Sequence, residues 1–158
     1  MLPLLLASVL IVMPLVPPTV TTPEALSIYM RKNYTYKSDG MIDDWQTPQE
    51  TAKKKTGDCE DWAFLVEKVL SQLGYEVQPI WINGYAVEDG KRVKYSHAVC
   101  IVKVEKGYRY FSNQYYSYFK TFVSVQEIIE WECPDWRWFA KIALPHRVYD
   151  KHYKAESE

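Results

Sequence analysis

Three cysteines and three histidines are the candidate nucleophiles and bases of this 158-residue chain. Cys59 stands between Asp58 and Glu60, just after Thr56-Gly57, where an amphipathic stretch begins. A helix N-terminus presents unpaired N–H groups and partial positive charge, which favour thiolate over thiol and can hold an oxyanion. The carboxylates of Asp58, Glu60 and Asp61 oppose that effect, so a nucleophilic Cys59 needs an adjacent base. His146 and His152 lie in a charged C-terminal segment. His97 opens an apolar strand, Ser96-His97-Ala98-Val99-Cys100. By alternation His97, Val99 and Ile101 share one face, and Ala98, Cys100 and Val102 share the other. The expectation is that His97 faces the helix carrying Cys59. A third polar residue orients such an imidazole. Asn113, at the end of Tyr110-Phe111-Ser112-Asn113, is the candidate. Taken singly, each residue has a plainer reading: an inert buried thiol, a half-buried strand histidine and a turn asparagine.

The elements that must position these residues are legible from periodicity and capping. Thr22-Pro23-Glu24-Ala25 starts a helix that runs to about Lys32. Asn33 to Asp44 is turn-rich around Asp39-Gly40. Thr47-Pro48-Gln49-Glu50 is a capping box for a short helix ending near Lys55. Asp58 caps the next helix, with Asp61 as its short-armed partner. Ala63, Leu65, Val66, Val69, Leu70 and Leu73 then recur near the helical period, and Gly74 ends it. Strands follow at Tyr75 to Ile82, Tyr85 to Val87, Val93 to Tyr95, His97 to Val104 and Tyr108 to Ser112. Asn83-Gly84 reads as a turn, and Glu88-Asp89-Gly90-Lys91 as a hairpin loop. Ser124 to Trp131 is a late helix, and Trp136 to Leu144 a final strand. The tail after Pro145 is expected to fray. Helices first, then an antiparallel meander, make an α+β architecture.

Composition sets the class. Apolar residues make up 47% and charged residues 25%, as in a single folded domain. A net charge of −1 gives no reason to expect a nucleic-acid partner. The run Lys53-Lys54-Lys55 is a solvated face. No zinc spacing is present. Met1 to Pro23 carries no charged side chain, and Leu2 to Val16 is almost wholly apolar. Residues 1–21 are therefore expected to be a signal peptide or membrane anchor with its linker, residues 22–150 the domain, and 151–158 a charged tail. This implies an extracytoplasmic protein; the alternative is a buried helix of a cytoplasmic one. Export alone suggests a Cys100–Cys133 disulfide.

Four segments occur in order: Trp45-Gln46-Thr47-Pro48-Gln49-Glu50-Thr51, Gly57-Asp58-Cys59-Glu60-Asp61-Trp62-Ala63, Leu73-Gly74-Tyr75 and Ser96-His97-Ala98-Val99. Together they resemble the transglutaminase-like superfamily, and within it the bacterial and archaeal transglutaminase-like cysteine peptidases. The resemblance implies a papain-like scaffold: a central Cys-bearing helix packed on an antiparallel sheet, with a Cys–His–Asp triad. Cys59 and His97 match the first two members. Asn113 stands where such domains usually carry Asp, and papain-like peptidases use Asn in that role. The resemblance also implies that Trp45 or Gln46 approaches the oxyanion site. Some related peptidases bind calcium, but no calcium-loop spacing is present here, so no metal or cofactor is expected. The implied reaction is thioester acyl transfer on a peptide or amide, with hydrolysis preferred to transamidation. The rival expectation is a non-catalytic module that holds a peptide or cell-wall strand in an aromatic groove of Trp62, Trp81, Tyr115, Tyr116 and Tyr118.

Overall fold

The computed structural model describes residues 14–40 and 43–155. Residues 1–21, expected to be a signal peptide or membrane anchor with its linker, fall mostly outside the described residues. Among those described, no helix is long and apolar enough to cross a membrane. Leu15, Val16 and Val20 pack against the core, so contact with the domain begins before Thr22.

Capping signals set the helices where the sequence places them. Helix α1 (Pro23–Asn33) starts at Thr22, whose side chain accepts from the Ala25 N–H. Strand β1 (Thr35–Tyr36) follows. Helix α2 (Pro48–Lys54) has a complete capping box between Thr47 and Glu50 and ends on Lys55 in the left-handed region. Strand β2 (Thr56–Gly57) leads into α3 (Cys59–Gln72). Trp62 to Val66 are all buried. Five consecutive buried residues mean that α3 is covered on every side, as a central helix must be. Trp62, Phe64, Leu65 and Leu70 are among the most buried side chains, each stabilising the fold by about 1.5–3 kcal/mol.

The sheet has six strands: β3 (Val77–Glu88), β4 (Lys91–Val104), β5 (Gly107–Ser112), β6 (Tyr115–Tyr116), β7 (Asp135–Ala143) and β8 (Arg147–Tyr153). Their order is β6-β5-β4-β3-β7-β8, and every neighbouring pair is antiparallel. Ala98, Cys100, Val102 and Phe111 join the core on the α3 side. Ile80, Ile82, Val99, Ile101 and Tyr110 form a second core beneath α4 (Val125–Glu132). The architecture is therefore α+β, with the Cys-bearing helix on an antiparallel sheet, as expected.

Two strand expectations are corrected. Asn83-Gly84 does not turn the chain; β3 runs through it, and its register with β7 shifts there. Gly84 is needed at that irregularity because a Cβ would strike the Asp135 carbonyl oxygen. The segment after Pro145 does not fray before Tyr153. It pairs with β7, held by Lys141–Asp150 at 2.7 Å and by His152 stacked on Phe139 at 4.9 Å. Edge pairing converts a charged sequence into a strand because its charges find cross-strand partners.

Candidate active site

Gly57 to Asp61 fixes the start of α3. Parallel pairing of Thr35 with Thr56 and of Tyr36 with Gly57 sets the point of entry. Asp58 is extended, and Cys59 is the first helical residue. The wholly buried Asp61 carboxylate accepts from the Asp58 N–H at 3.2 Å, the Gln46 N–H at 2.8 Å and Gln46 Nε2 at 2.6 Å. One side chain thus closes the helix start and ties the Trp45–Gln46 segment to it. Burial lifts this carboxyl to about 6 despite its three donors. Gly57 is required here because a Cβ would lie 2.7 Å from the Asp61 Cβ. Gln46, expected near the oxyanion, spends its amide on Asp61 and the Thr56 carbonyl. Trp45 donates from Nε1 to Asp43 at 3.0 Å.

The Cys59 thiol is half-buried and donates to Glu60 Oε2 at 3.1 Å. Burial pushes the thiol well up, and the Glu60 carboxyl adds to this. The backbone N–H of Ala98, next to His97 in β4, donates to the sulfur and opposes the rise. Glu60 is itself pushed up to about 9, first by burial and then by its hydrogen bond with Asp43. Asp58 moves in the same direction, again chiefly through burial.

Asp39, Asp58 and Glu60 bring carboxylate oxygens within 4.8 Å of one another. Asp58 Oδ1 is buried without a hydrogen-bond partner. An all-oxygen donor set with an unused buried acceptor fits a hard cation such as calcium. Sequence reasoning missed this trio because Asp39 comes from the loop after β1, not from a contiguous calcium loop.

His97 sits on the opposite sheet face from the one expected. Helix α3 packs on the Ala98, Cys100 and Val102 side, whereas Val99 and Ile101, which alternate with His97, belong to the core beneath α4. Cys59 meets β4 at its backbone instead. The β5 ladder stops at Ser112, opposite Val99, and beyond it the Ala98 N–H is free for the sulfur. Among the described residues the thiol and the ring share no hydrogen bond.

The ring's partner is also different. His97 Nε2 lies 2.9 Å from Ser112 Oγ, and the Tyr95 ring approaches edge-on at 6.1 Å. Burial lowers the imidazole pKa from 6.5, and Glu132 opposes that shift. Asn113 lies one residue further on, in the turn to β6, with φ 52°. Asn tolerates that left-handed conformation better than most residues. Its Oδ1 is buried without a partner. Asn113 therefore makes the turn, and Ser112 meets the imidazole. Strand alternation from Tyr110 could have found Ser112, since the two share a face.

The rest of the expected constellation separates. Trp62 is wholly buried, and Trp81 packs on Trp45 at 5.4 Å. Tyr115, Tyr116 and Tyr118 instead border a recess of about 340 Å³ against α1. The five aromatics form no single groove. Cys100 and Cys133 lie in cores on opposite sides of the sheet, and both are free thiols.

Residues 20–132 match the family model described as a transglutaminase-like domain. Among solved structures the chain is similar to a putative cysteine protease from Cytophaga hutchinsonii, at 15% identity and TM-score 0.46. That match covers 58% of this chain and 30% of the other. It is also similar to Legionella pneumophila LapG, at 18% identity and TM-score 0.44, covering 60% of this chain and 54% of that one. The chain thus spans about a third and about half of the lengths of these two proteins. No curated protein matches it. On the family match over most of its length, the chain belongs to the transglutaminase-like domain family.

Proposed function

We propose that the chain is a cysteine hydrolase acting on peptide or amide bonds, with Cys59 as nucleophile, His97 as base and Ser112 orienting the ring. The observation that carries this reading is the sulfur at the first turn of α3, against the Ala98 N–H and beside the strand residue whose ring nitrogen Ser112 engages. Nε2 is used by Ser112, which leaves Nδ1 as the nitrogen that would take the thiol proton once the ring turns past β4 toward the sulfur, with which it shares no hydrogen bond at rest. For that, Nε2 must carry hydrogen and Ser112 must accept it. A carboxylate would enforce this tautomer; a hydroxyl can also donate, so Ser112 enforces it less strongly.

In the proposed reaction Nδ1 removes the Cys59 proton and the sulfur attacks the carbonyl carbon. The Cys59 N–H, at the first position of α3, would stabilise the oxyanion. The imidazolium returns its proton to the leaving amine as the C–N bond breaks. Water, deprotonated by His97, then splits the thioester and regenerates the thiol. A cation held by Asp39, Asp58 and Glu60 would offset the negative charge beside the sulfur. The apolar stretch from Leu2 to Val16 supports extracytoplasmic peptides as substrates.

A second reading is a weakly active or inactive peptide-binding module. The hydrogen bond from the thiol to Glu60 and the raised thiol pKa favour it. Mass spectrometry of the protein incubated with an activated peptide ester separates the two. The hydrolase reading expects an acyl adduct on Cys59 that hydroxylamine removes. No adduct with peptide binding retained would favour the module. A fluorescent primary amine appearing in the product would replace hydrolysis with transamidation.

A further inference from the structure

Four side chains are carried on the α4 side of neighbouring strands: Tyr95 and His97 on β4, Tyr110 and Ser112 on β5. Facing them is Glu132, the last residue of α4. Its carboxylate accepts from Tyr95 Oη at 3.2 Å on one oxygen and from Tyr110 Oη on the other. One phenol comes from the strand that carries His97 and one from the strand that carries Ser112. Burial, followed by contact with Glu132, drives both phenols upward, so both remain donors across the working pH range. The carboxylate is thus fixed from two sides, and the Tyr95 that anchors it also meets the imidazole in a T-shaped contact, centroids 6.1 Å apart.

We infer that Glu132 is the charge-compensating positioning residue of this site: its carboxylate, pinned by Tyr95 and Tyr110, stabilises the imidazolium that forms when His97 takes the Cys59 proton. The inference rests on His97 as the base. Its physical motive is that the direct ring partner, Ser112, is neutral. A buried imidazolium with no counter-charge is costly. The titratable groups around Glu132 on this side are Tyr95, Tyr110 and the Cys133 that follows α4; farther along the same face, around Ile101 and Phe139, lie Lys103, Tyr108, Lys141, Asp150 and His152. Across β4 stand Cys59, Asp58 and Glu60. Of all these, Glu132 is the one whose charge raises the ring's proton affinity.

The test is an NMR titration of the His97 ring in the full chain, with Cys59 alkylation followed in parallel. Glu132→Gln should lower the ring pKa by about 0.5–1 unit, a three- to tenfold loss of proton affinity. Tyr95→Phe, which removes one anchor, should lower it by less. Ser112→Asp added to Glu132→Gln should restore it, by placing a charge directly on the ring. An unchanged ring pKa in Glu132→Gln, with lower thermal stability, would reduce Glu132 to a tyrosine anchor and overturn the inference. If Glu132→Gln does not fold, a Tyr95→Phe ring pKa equal to the parent's overturns it equally. Cys59 alkylation independent of His97 in the parent chain would instead sink the hydrolase reading, and the titration would not be altered by it.

Discussion

The two sides of β4 at Ala98 are built by opposite means. On the α3 side the thiol sits among polar groups drawn from distant parts of the chain: Asp61 with Gln46, Glu60 with Asp43, and Asp39 near Asp58. On the α4 side the imidazole has one direct partner, the Ser112 hydroxyl, and a carboxylate held two contacts away. The difference teaches that placement and activation are separable here. Asp61 places Cys59 and does so rigidly, while the surroundings of the sulfur push the thiol toward its neutral form. The α4 side places little and tunes the imidazole.

If that division is right, the largest effect on stability belongs to Asp61. Asp61→Ala strands a buried amide and two backbone N–H groups at once and should cost about 3 kcal/mol or more. In a chain of this size that is a fall of roughly 6–12 °C in a thermal melt. A melt unchanged within a degree would break the comparison. The mirror substitution, Ser112→Ala, should cost no more than about 1 kcal/mol, yet slow His97-dependent alkylation of Cys59 several-fold. Ser112→Asp should work the other way and raise the ring pKa, measured by NMR.

The pH dependence is smaller and has a definite sign. The His97 pKa is lowered in the folded chain, so between that value and 6.5 the unfolded chain binds the proton and the folded one does not. Stability from this group is complete above 6.5 and is lost as pH falls through that window. The acid limb of Cys59 alkylation should accordingly have its midpoint below 6.5. A midpoint above 6.5 would mean that burial does not govern the ring. The smallest effect should come from Asn113→Gly, which keeps the left-handed turn and should leave alkylation within about twofold, since Ser112 holds the ring.

What could be read in the sequence follows the range of the forces involved. The starts of α1, α2 and α4 are local hydrogen bonds between residues three apart, and Thr22, Thr47 and Ser124 announce them. The face of His97 and the identity of its partner depend on register between β4 and β5. A side-chain period of two means that one residue decides the face. Asn113 looked like a ring partner because it is polar and ends a strand; Val99 opposite Ser112 puts the serine there instead. The strand after Pro145 was hidden because its partners, Lys141 for Asp150 and Phe139 for His152, lie on β7. The Asp39, Asp58 and Glu60 trio needed the loop after β1 to be folded back before it existed at all.

The central claim is that Cys59 and His97 act as nucleophile and base, and the rate of Cys59 alkylation by iodoacetamide at neutral pH tests it most directly. It is to be measured by peptide-resolved mass spectrometry in the parent chain and in His97→Ala. The account predicts that the parent reacts faster than a free thiol and that the variant loses a factor of about ten or more, since each unit of thiol pKa that the ring offsets is worth tenfold. Equal rates in the two proteins would contradict it.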